Sequence, residues 1–294
     1  MDELRPILGA HMSMAGGFHK AVERGQEVGC QCVLVFVKNS NRWTAPDLTD
    51  DDVEHLSAAM IESGLRYLIA HSSYLINLAS PDRALWKKSL DALVVELQRA
   101  TRLEIPYVVL HPGAYTSSSE EAGLQRVIRA LDEVQRQTRD WSATCLLENT
   151  AGQGTCLGWR FEQLATVLDG VQAPGRLGVC FDTCHAFAAG YPLASESEYR
   201  QTMRQLQQLV GIDRIKAVHV NDSKRERGSR VDRHEHIGKG QLGITAFARV
   251  VNDRRFRQVP MYLETPKGTD SRTAKPWDVK NLGVLRPLVG RPIT

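Results

Sequence analysis

The chain has 294 residues, of which 42% are hydrophobic and 24% charged, and its formal net charge is +3. This is the composition of a globular protein with a sizeable core, and the net charge is too small to indicate nucleic acid as a partner by itself. No segment approaches the roughly 18 apolar residues of a membrane helix, which excludes a membrane-spanning protein. The N-terminal stretch "MDELRPILGAHMS" lacks the apolar region of a secretory signal, so we expect a cytoplasmic protein.

Apolar runs alternate with amphipathic ones along the chain, which predicts alternating strands and helices. The strand-like runs are "ILGAHMS", "CVLVFVK", "YLIAHSS", "YVVLHPG", "ATCLLEN", "LGVCFDT", "IKAVHVN" and "MYLET". Helical patterns lie between them, for example at 84–100 and 123–138. Eight strands, each followed by a helical pattern, predict an α/β fold with a single (β/α)₈ TIM-barrel domain over residues 1–294. A doubly wound open sheet is the main alternative.

Each strand-like run from the third onward has an ionisable residue at or near its C-terminal end. These residues are His71, His111, Glu148, Asp182, His219 and Glu264. In a barrel of parallel strands the C-terminal ends form one rim, so the six side chains would converge in one bowl. A single histidine at a strand end more often has a structural role, whereas six ionisable residues at the same end indicate a functional site.

Three more candidate ligands lie just beyond this rim. His185 follows the sixth strand, and Asp232 and His234 lie in the longest irregular stretch, 222–243. The nine side chains are five histidines, two aspartates and two glutamates, a donor set that suits zinc and also Mn²⁺ or Fe²⁺. Nine ligands exceed what one ion can use, so we expect two or three metals, which are typical of phosphoryl or related ester chemistry.

None of the six cysteines of the chain lies in a C-x-x-C pair. In a reducing cytoplasm such cysteines are mostly small buried residues rather than metal ligands. Cys180 alternates with Asp182 along the sixth strand, so we expect its side chain to face the barrel interior. We interpret Cys184 as a packing residue.

Several longer motifs carry a family resemblance. They are "LGAHMSMAGG", "HSSYLINLASP", "LHPGAY", "LLENTAGQG", "GVCFDTCHAFAAGY", "HVNDSK", "GSRVDRHEHIGKG" and "LETPKG". In this order and spacing the chain resembles the endonuclease IV family, the zinc-dependent apurinic/apyrimidinic endonucleases of DNA base-excision repair. The likeness extends over nearly the whole chain.

The resemblance implies a (β/α)₈ barrel with three zinc ions at the C-terminal rim. It assigns His71, His111 and Glu148 to the first zinc, Glu148, Asp182, His219 and Glu264 to the second, and His185, Asp232 and His234 to the third. It also implies that Glu148 is catalytic, because this residue is placed to orient the attacking water or accept its proton. The implied reaction cuts the phosphodiester bond 5′ to an abasic site, leaving a 3′-hydroxyl and a 5′-deoxyribose phosphate, and the same site trims blocked 3′ ends.

The resemblance further implies side chains that are inserted into the duplex where the abasic nucleotide is flipped out. Tyr74 and Leu75 match this wedge in the loop after the third strand. The loop after the second strand departs from the family pattern, because Asn41 stands where an arginine is usual and Arg42 follows it. Ser72 also departs, since an aspartate is common directly after the first histidine.

The stretch "SKRERGSRVDR" carries five Arg or Lys residues among eleven, including Arg230 and Arg233. Beside a metal rim, such charges indicate contacts with the DNA backbone. The expected partner is therefore double-stranded DNA with abasic sites or blocked 3′ ends, bound by a monomer.

Two other functions fit parts of the sequence. A metal-dependent sugar isomerase or epimerase uses the same barrel, but such sites usually hold two metals and have no DNA-facing wedge. A non-catalytic DNA-binding module would not need nine convergent ligands, whose mutual repulsion costs stability. The third ligand set and the pair Tyr74 and Leu75 favour the endonuclease.

Overall fold

The computed structural model describes residues 6–290, and its central element is a closed barrel of parallel strands. The strands are β1 (Leu8–His11), β2 (Cys32–Phe36), β3 (Tyr67–His71), β4 (Tyr107–Leu110), β5 (Thr144–Glu148), β6 (Leu177–Asp182), β7 (Ile215–His219), β8 (Asp222–Ser223), β9 (His234–Glu235) and β10 (Met261–Leu263). All of them except β8 and β9 form the barrel, in the order β1-β10-β7-β6-β5-β4-β3-β2. The predicted TIM barrel is confirmed, and the open-sheet alternative is wrong.

Helices surround the barrel. They are α1 (Phe18–Glu27), α2 (Asp50–Ser63), α3 (Arg83–Arg102), α4 (Glu120–Gln137), α5 (Phe161–Gly170), α6 (Thr183–Ala188), α7 (Glu196–Leu209), α8 (Ile244–Asn252) and α9 (Trp277–Leu285). Single 3₁₀ turns lie at Pro174–Arg176, Ile212–Arg214, Arg254–Phe256 and Arg286–Leu288. Within residues 6–290, no helix is both long and apolar enough to span a membrane.

The helix boundaries follow from capping. The side chain of Asp82 accepts the backbone N–H groups of Ala84 and Leu85, which begins α3. Thr49 and Asp52 form a capping box at the start of α2, and Gly64 in the left-handed region ends that helix. The two N-terminal caps fix where α2 and α3 begin after the loops on the barrel rim.

The core has two layers because successive strand residues face opposite sides of the sheet. One layer fills the barrel interior and contains Cys32, Leu34, Ile69, Val109, Leu146, Cys180, Ala217 and Tyr262. The other layer, for example Val33 and Val35 of β2, packs against the helices. Both faces are buried, which explains why the strands are continuous apolar runs in the sequence. As expected, Cys180 faces the barrel interior.

The stretch 222–243, which we interpreted as irregular, contains a small sheet. Strands β8 and β9 pair antiparallel, with Ser223 opposite His234. This pairing brings the far part of the stretch back to the end of β7. The loop therefore folds over the same rim on which the strands β3 to β7 end.

We expect Gly9→Ala to destabilise the protein strongly, by about 3 kcal/mol or more, because overpacked sites relax poorly. A Cβ atom at Gly9 would overlap the backbone carbonyl of Cys32 on the neighbouring strand. Gly175→Ala is the matched control, since its added Cβ would meet no atom within 4 Å. Urea unfolding of both variants measures the difference, and equal midpoints would contradict this packing.

Candidate active site

A cavity of about 810 Å³ opens at the C-terminal rim of the barrel. Its lining includes His71, Tyr74, His111, His185, Asp232, Arg233, His234 and Glu264. A larger cleft of about 1030 Å³ lies at the opposite end, among residues that precede the strands, such as Arg66 and Pro106. In TIM-barrel enzymes the chemistry takes place at the C-terminal face, so we place the candidate site in the first cavity.

Glu148, the last residue of β5, is the centre of this site. Its side chain is fully buried, and its two carboxylate oxygens face different imidazoles. Oε2 lies 3.1 Å from His71 Nε2 and 2.9 Å from His111 Nε2, while Oε1 lies 2.8 Å from His219 Nδ1. This is the arrangement of a carboxylate that can bridge two metal positions.

The structure brings the nine predicted ligands together in three groups, and within each group the candidate ligand atoms lie within 4.8 Å of one another. The first two groups share Glu148. The groups are His71, His111 and Glu148; Glu148, Asp182, His219 and Glu264; and His185, Asp232 and His234. Each has only imidazole and carboxylate donors, which are ligand types of catalytic zinc sites. The donor sets therefore fit metal ions.

Backbone carbonyls orient three of the histidines. The Nδ1 atom of His71 lies 2.8 Å from the Ser72 carbonyl, that of His185 lies 2.9 Å from the Asn149 carbonyl, and that of His234 lies 3.2 Å from the Glu264 carbonyl. When Nδ1 carries the proton and donates a hydrogen bond to a carbonyl, Nε2 keeps a free lone pair that can coordinate a metal. His219 has the opposite orientation, because its Nδ1 faces Glu148 and Glu264.

Two buried asparagines that the sequence analysis missed hold Asp182 in place. Asn149 accepts the Asp182 backbone N–H and donates to its carbonyl, and Asn221 donates to Asp182 Oδ2 at 2.7 Å. Asn221 also accepts the backbone N–H of Glu264 at 2.7 Å. Asn149 directly follows the predicted ligand Glu148, and Asn221 lies two residues after the predicted ligand His219. This proximity in the sequence was the only signal of their role.

A third missed residue, Asp222, anchors the loop that carries Asp232 and His234. Its buried carboxylate accepts the backbone N–H groups of Ser223, Gly238, Gly240 and Leu242 at 2.8–3.1 Å. Both ends of the loop therefore meet at one side chain. Asp222 is itself outside the three donor groups, so its role is to position the loop.

Charges in the site stabilise one another. Burial would raise the pKa values of Glu148 and Glu264, but the neighbouring imidazoles, chiefly His219, hold both well below the ordinary value. Burial would lower the pKa values of His71 and His185, but the surrounding carboxylates raise both. The carboxylates are thus kept as anions by nearby positive charge, which a bound cation would also provide.

The thiols of Cys180 and Cys184 also lie near these donors, Cys180 with Glu148 and His219, and Cys184 with Asp182 and His234. Burial raises the pKa of each thiol to about 12. Both side chains are buried in the packed interior, and the three donor groups are complete without them. We keep the interpretation that both are packing residues.

The predicted DNA-contacting residues differ in exposure. Tyr74 is 61% exposed beside the imidazole and carboxylate cluster, its ring 5.8 Å from that of His71, and Leu75 is half-buried. Asn41 and Arg42 are exposed in the loop after β2. All four thus lie on the rim side of the barrel, where a duplex could reach them.

The two arginines of the basic loop are oriented differently. Arg233 is exposed and lines the cavity, whereas the guanidinium of Arg230 lies 4.2 Å over the ring of Trp159. Arg230 Nε also donates to the Gly152 carbonyl at 2.9 Å. The backbone of Arg230 is in the left-handed region, with φ of 55°. A phosphate contact by Arg233 therefore fits the structure better than one by Arg230.

Comparison with known proteins gives consistent matches over almost the full length. The xylose isomerase-like TIM barrel family matches residues 22–287. The probable endonuclease 4 of Trichlorobacter lovleyi is 48% identical over 281 residues, which cover 96% of this chain and 99% of that protein. The crystal structure of endonuclease IV from Thermus thermophilus matches with a TM-score of 0.84 at 36% identity, covering 96% of this chain and 98% of that one. The chain belongs to the endonuclease IV family.

Membership in the endonuclease IV family confirms the resemblance and makes the chain a hydrolase of the nuclease class. The rival interpretation as a non-catalytic DNA-binding module is wrong. A D-tagatose 3-epimerase-like protein also matches, with a TM-score of 0.71 at 18% identity over 95% of this chain and 96% of that one. At that identity the likeness shows the fold alone, so it gives no support to the sugar epimerase alternative.

We expect Asp222→Asn to loosen the loop at 224–243 and to lower the metal content of the protein. The change replaces a carboxylate that accepts four N–H groups by an amide with one acceptor oxygen. We expect the lost hydrogen bonds to increase the population of the opened loop about tenfold. Trypsin cleavage at Lys224 to Arg233 and elemental analysis measure the two effects. Asp213→Asn, an exposed position at the other end of the barrel, is the control. Cleavage of both variants at the wild-type rate would disprove the anchoring role.

Proposed function

We propose that this member of the endonuclease IV family is a DNA-repair endonuclease. It hydrolyses the phosphodiester bond 5′ to an apurinic or apyrimidinic site and leaves a 3′-hydroxyl and a 5′-deoxyribose phosphate. The single observation that carries the proposal is the buried carboxylate of Glu148, whose two oxygens face imidazoles of two donor groups. Such paired metal positions are typical of phosphodiester hydrolysis.

The proposed cofactor is three zinc ions per chain, with Mn²⁺ or Fe²⁺ as substitutes. The proposed ligands are His71, His111 and Glu148 for one ion, Glu148, Asp182, His219 and Glu264 for another, and His185, Asp232 and His234 for the third. When bound, such ions supply a water that is deprotonated at neutral pH and neutralise charge on the leaving oxygen. All ligands come from one barrel, which supports a monomeric enzyme.

Glu148 is the proposed catalytic residue. Its carboxylate is held as an anion by surrounding imidazoles, and each of its oxygens lies within 3.1 Å of an imidazole nitrogen. A carboxylate in this position can orient the attacking water and accept its proton at an oxygen. The orienting contacts of His71 and His185 keep their Nε2 atoms directed into the site.

The proposed substrate is a duplex that lies across the rim. Tyr74 and Leu75 on one loop, and Asn41 and Arg42 on another, are proposed to enter the duplex, while Arg233 binds a backbone phosphate. Flipping a nucleotide costs least where the base is already missing, which favours abasic sites. The same site would accept a blocked 3′ end, because the terminal phosphodiester presents the same chemical group.

Incision of a duplex with one defined abasic site tests the proposed function. We expect the wild-type protein to cut once, 5′ to the site, and Glu148→Gln to lose about 10²–10⁴-fold in rate while it still binds the duplex. The control is Cys184→Ala, which we expect to keep its rate and metal content. A wild-type protein that leaves the abasic duplex intact, or a Glu148→Gln variant within a few-fold of wild type, would contradict the assignment.

We expect Arg42→Ala to weaken binding to abasic duplex more than to undamaged duplex. An inserted side chain contributes only when the DNA is bent and the sugar flipped, whereas a phosphate contact helps both duplexes alike. Titrations of both duplexes at one fixed salt concentration measure the difference. Arg233→Ala is the comparison variant, and we expect it to lose the same factor in affinity for both duplexes. Equal losses for Arg42→Ala as well would make Arg42 a simple backbone contact.

A further inference from the structure

A buried ion pair lies outside the imidazole and carboxylate cluster of the candidate site, and it joins the end of β2 to α3. Lys38, two residues after β2, places its Nζ atom 3.1 Å from Oε1 of Glu96 on α3, and both side chains are only 1% exposed. Removing two charges from water usually costs as much as their attraction returns, and apolar residues of similar volume are often as stable. Fold stability is therefore a weak reason for this pair.

The hydrogen bonds of the pair reach two loops of the rim. Lys38 Nζ donates to the carbonyl of Arg42 at 2.7 Å. Glu96 accepts the backbone N–H of Ser73 with its two oxygens, at 3.1 and 3.3 Å. Ser73 Oγ donates to the carbonyl of Ser40 at 2.6 Å, which closes the connection. The loop after β2 and the loop after β3 are thus joined through one buried charge pair.

Other residues of α3 fix the same loop along its length. Arg99 donates to the carbonyls of Val37 and Pro46 at 2.6 and 2.7 Å, and Arg102 donates to the carbonyl of Leu48 at 2.8 Å. Residues 96, 99 and 102 follow one another at three-residue spacing, so they share one face of the helix. Nearer the start of α3, Lys88 lies 4.4 Å over the ring of Trp43. Side chains of α3 therefore hold the segment 37–48 at several points along its length.

These contacts hold the backbone of the loops and leave their tips free. Arg42 and Tyr74 are both exposed, although the carbonyl of Arg42 and the N–H of Ser73 are bound to the same ion pair. Groups that are already ordered lose less entropy when they bind. A fixed backbone with exposed side chains is the arrangement expected of two loops that insert into one ligand together.

We propose that the Lys38–Glu96 pair is a positioning device that sets the loop of Arg42 against the loop of Tyr74, so that both meet the duplex as one preformed unit. This inference rests on the proposed function, since the duplex is the ligand of both loops. Lys38 and Glu96 act through the loops and do not touch the reacting atoms. Their removal should affect substrate binding and leave the chemical step intact.

The test is the double variant Lys38→Met/Glu96→Leu, which removes both charges and leaves neither buried alone. We expect the Michaelis constant for abasic duplex to rise about tenfold, with kcat within about threefold of wild type and with unchanged metal content. The control is Asp253→Asn/Arg255→Met, an ion pair at the opposite end of the barrel, with both constants unchanged. Ser73→Ala buries no charge and removes the hydrogen bond that Ser73 Oγ donates to the Ser40 carbonyl, together with the 3.3 Å bond that it accepts from the Leu75 backbone N–H. This variant gives a second measurement, and we expect its Michaelis constant to rise about threefold.

The outcomes separate this inference from the proposed function. A wild-type protein that does not incise abasic duplex would refute the function itself. Incision by wild type with an unchanged Michaelis constant in the double variant and in Ser73→Ala would overturn the positioning role. A fall in kcat together with loss of metal would also overturn it, because the pair would then support the metal cluster and not the loops.

Discussion

The buried carboxylate of Glu148 is the interaction on which the site depends. Its oxygens lie within 3.1 Å of three imidazoles from three different strand ends, and parallel strands in a closed barrel are what bring those ends together. A buried anion is stable only beside positive charge. The positions of the histidines around Glu148 are therefore as important to the site as the carboxylate itself. The fold thereby creates a compact set of donors at the end of the barrel that opens to a cavity.

Outside this centre, backbone-directed polar side chains give the site its geometry. Asn149 and Asn221 fix Asp182, Asp222 fixes the loop of the third donor group, and Glu96 fixes the loops at the edge of the cavity. None of these residues belongs to the imidazole and carboxylate donor groups. The site therefore has two parts with separate functions, a group that can bind cations and a surrounding network that holds it and its substrate-facing loops in position.

The barrel and the convergence of nine donors were predictable because apolar strand runs and the residues that end them are local patterns with a known geometry. The positioning residues were not predictable. Glu96 lies in an amphipathic helix where a glutamate normally faces solvent, and only the tertiary structure shows that it is 1% exposed against Lys38. The contact of Arg230 was not predictable for a similar reason. A charge in a basic loop suggests DNA, and only the tertiary structure shows that this guanidinium lies over the ring of Trp159.

Anomalous diffraction at the zinc edge, from crystals of the protein grown with zinc, tests the central claim most directly. We predict three peaks within the rim cavity. One is expected among His71, His111 and Glu148, one among Glu148, Asp182, His219 and Glu264, and one among His185, Asp232 and His234. A single peak, or peaks on the thiols of Cys180 and Cys184, would contradict a metal centre organised around Glu148.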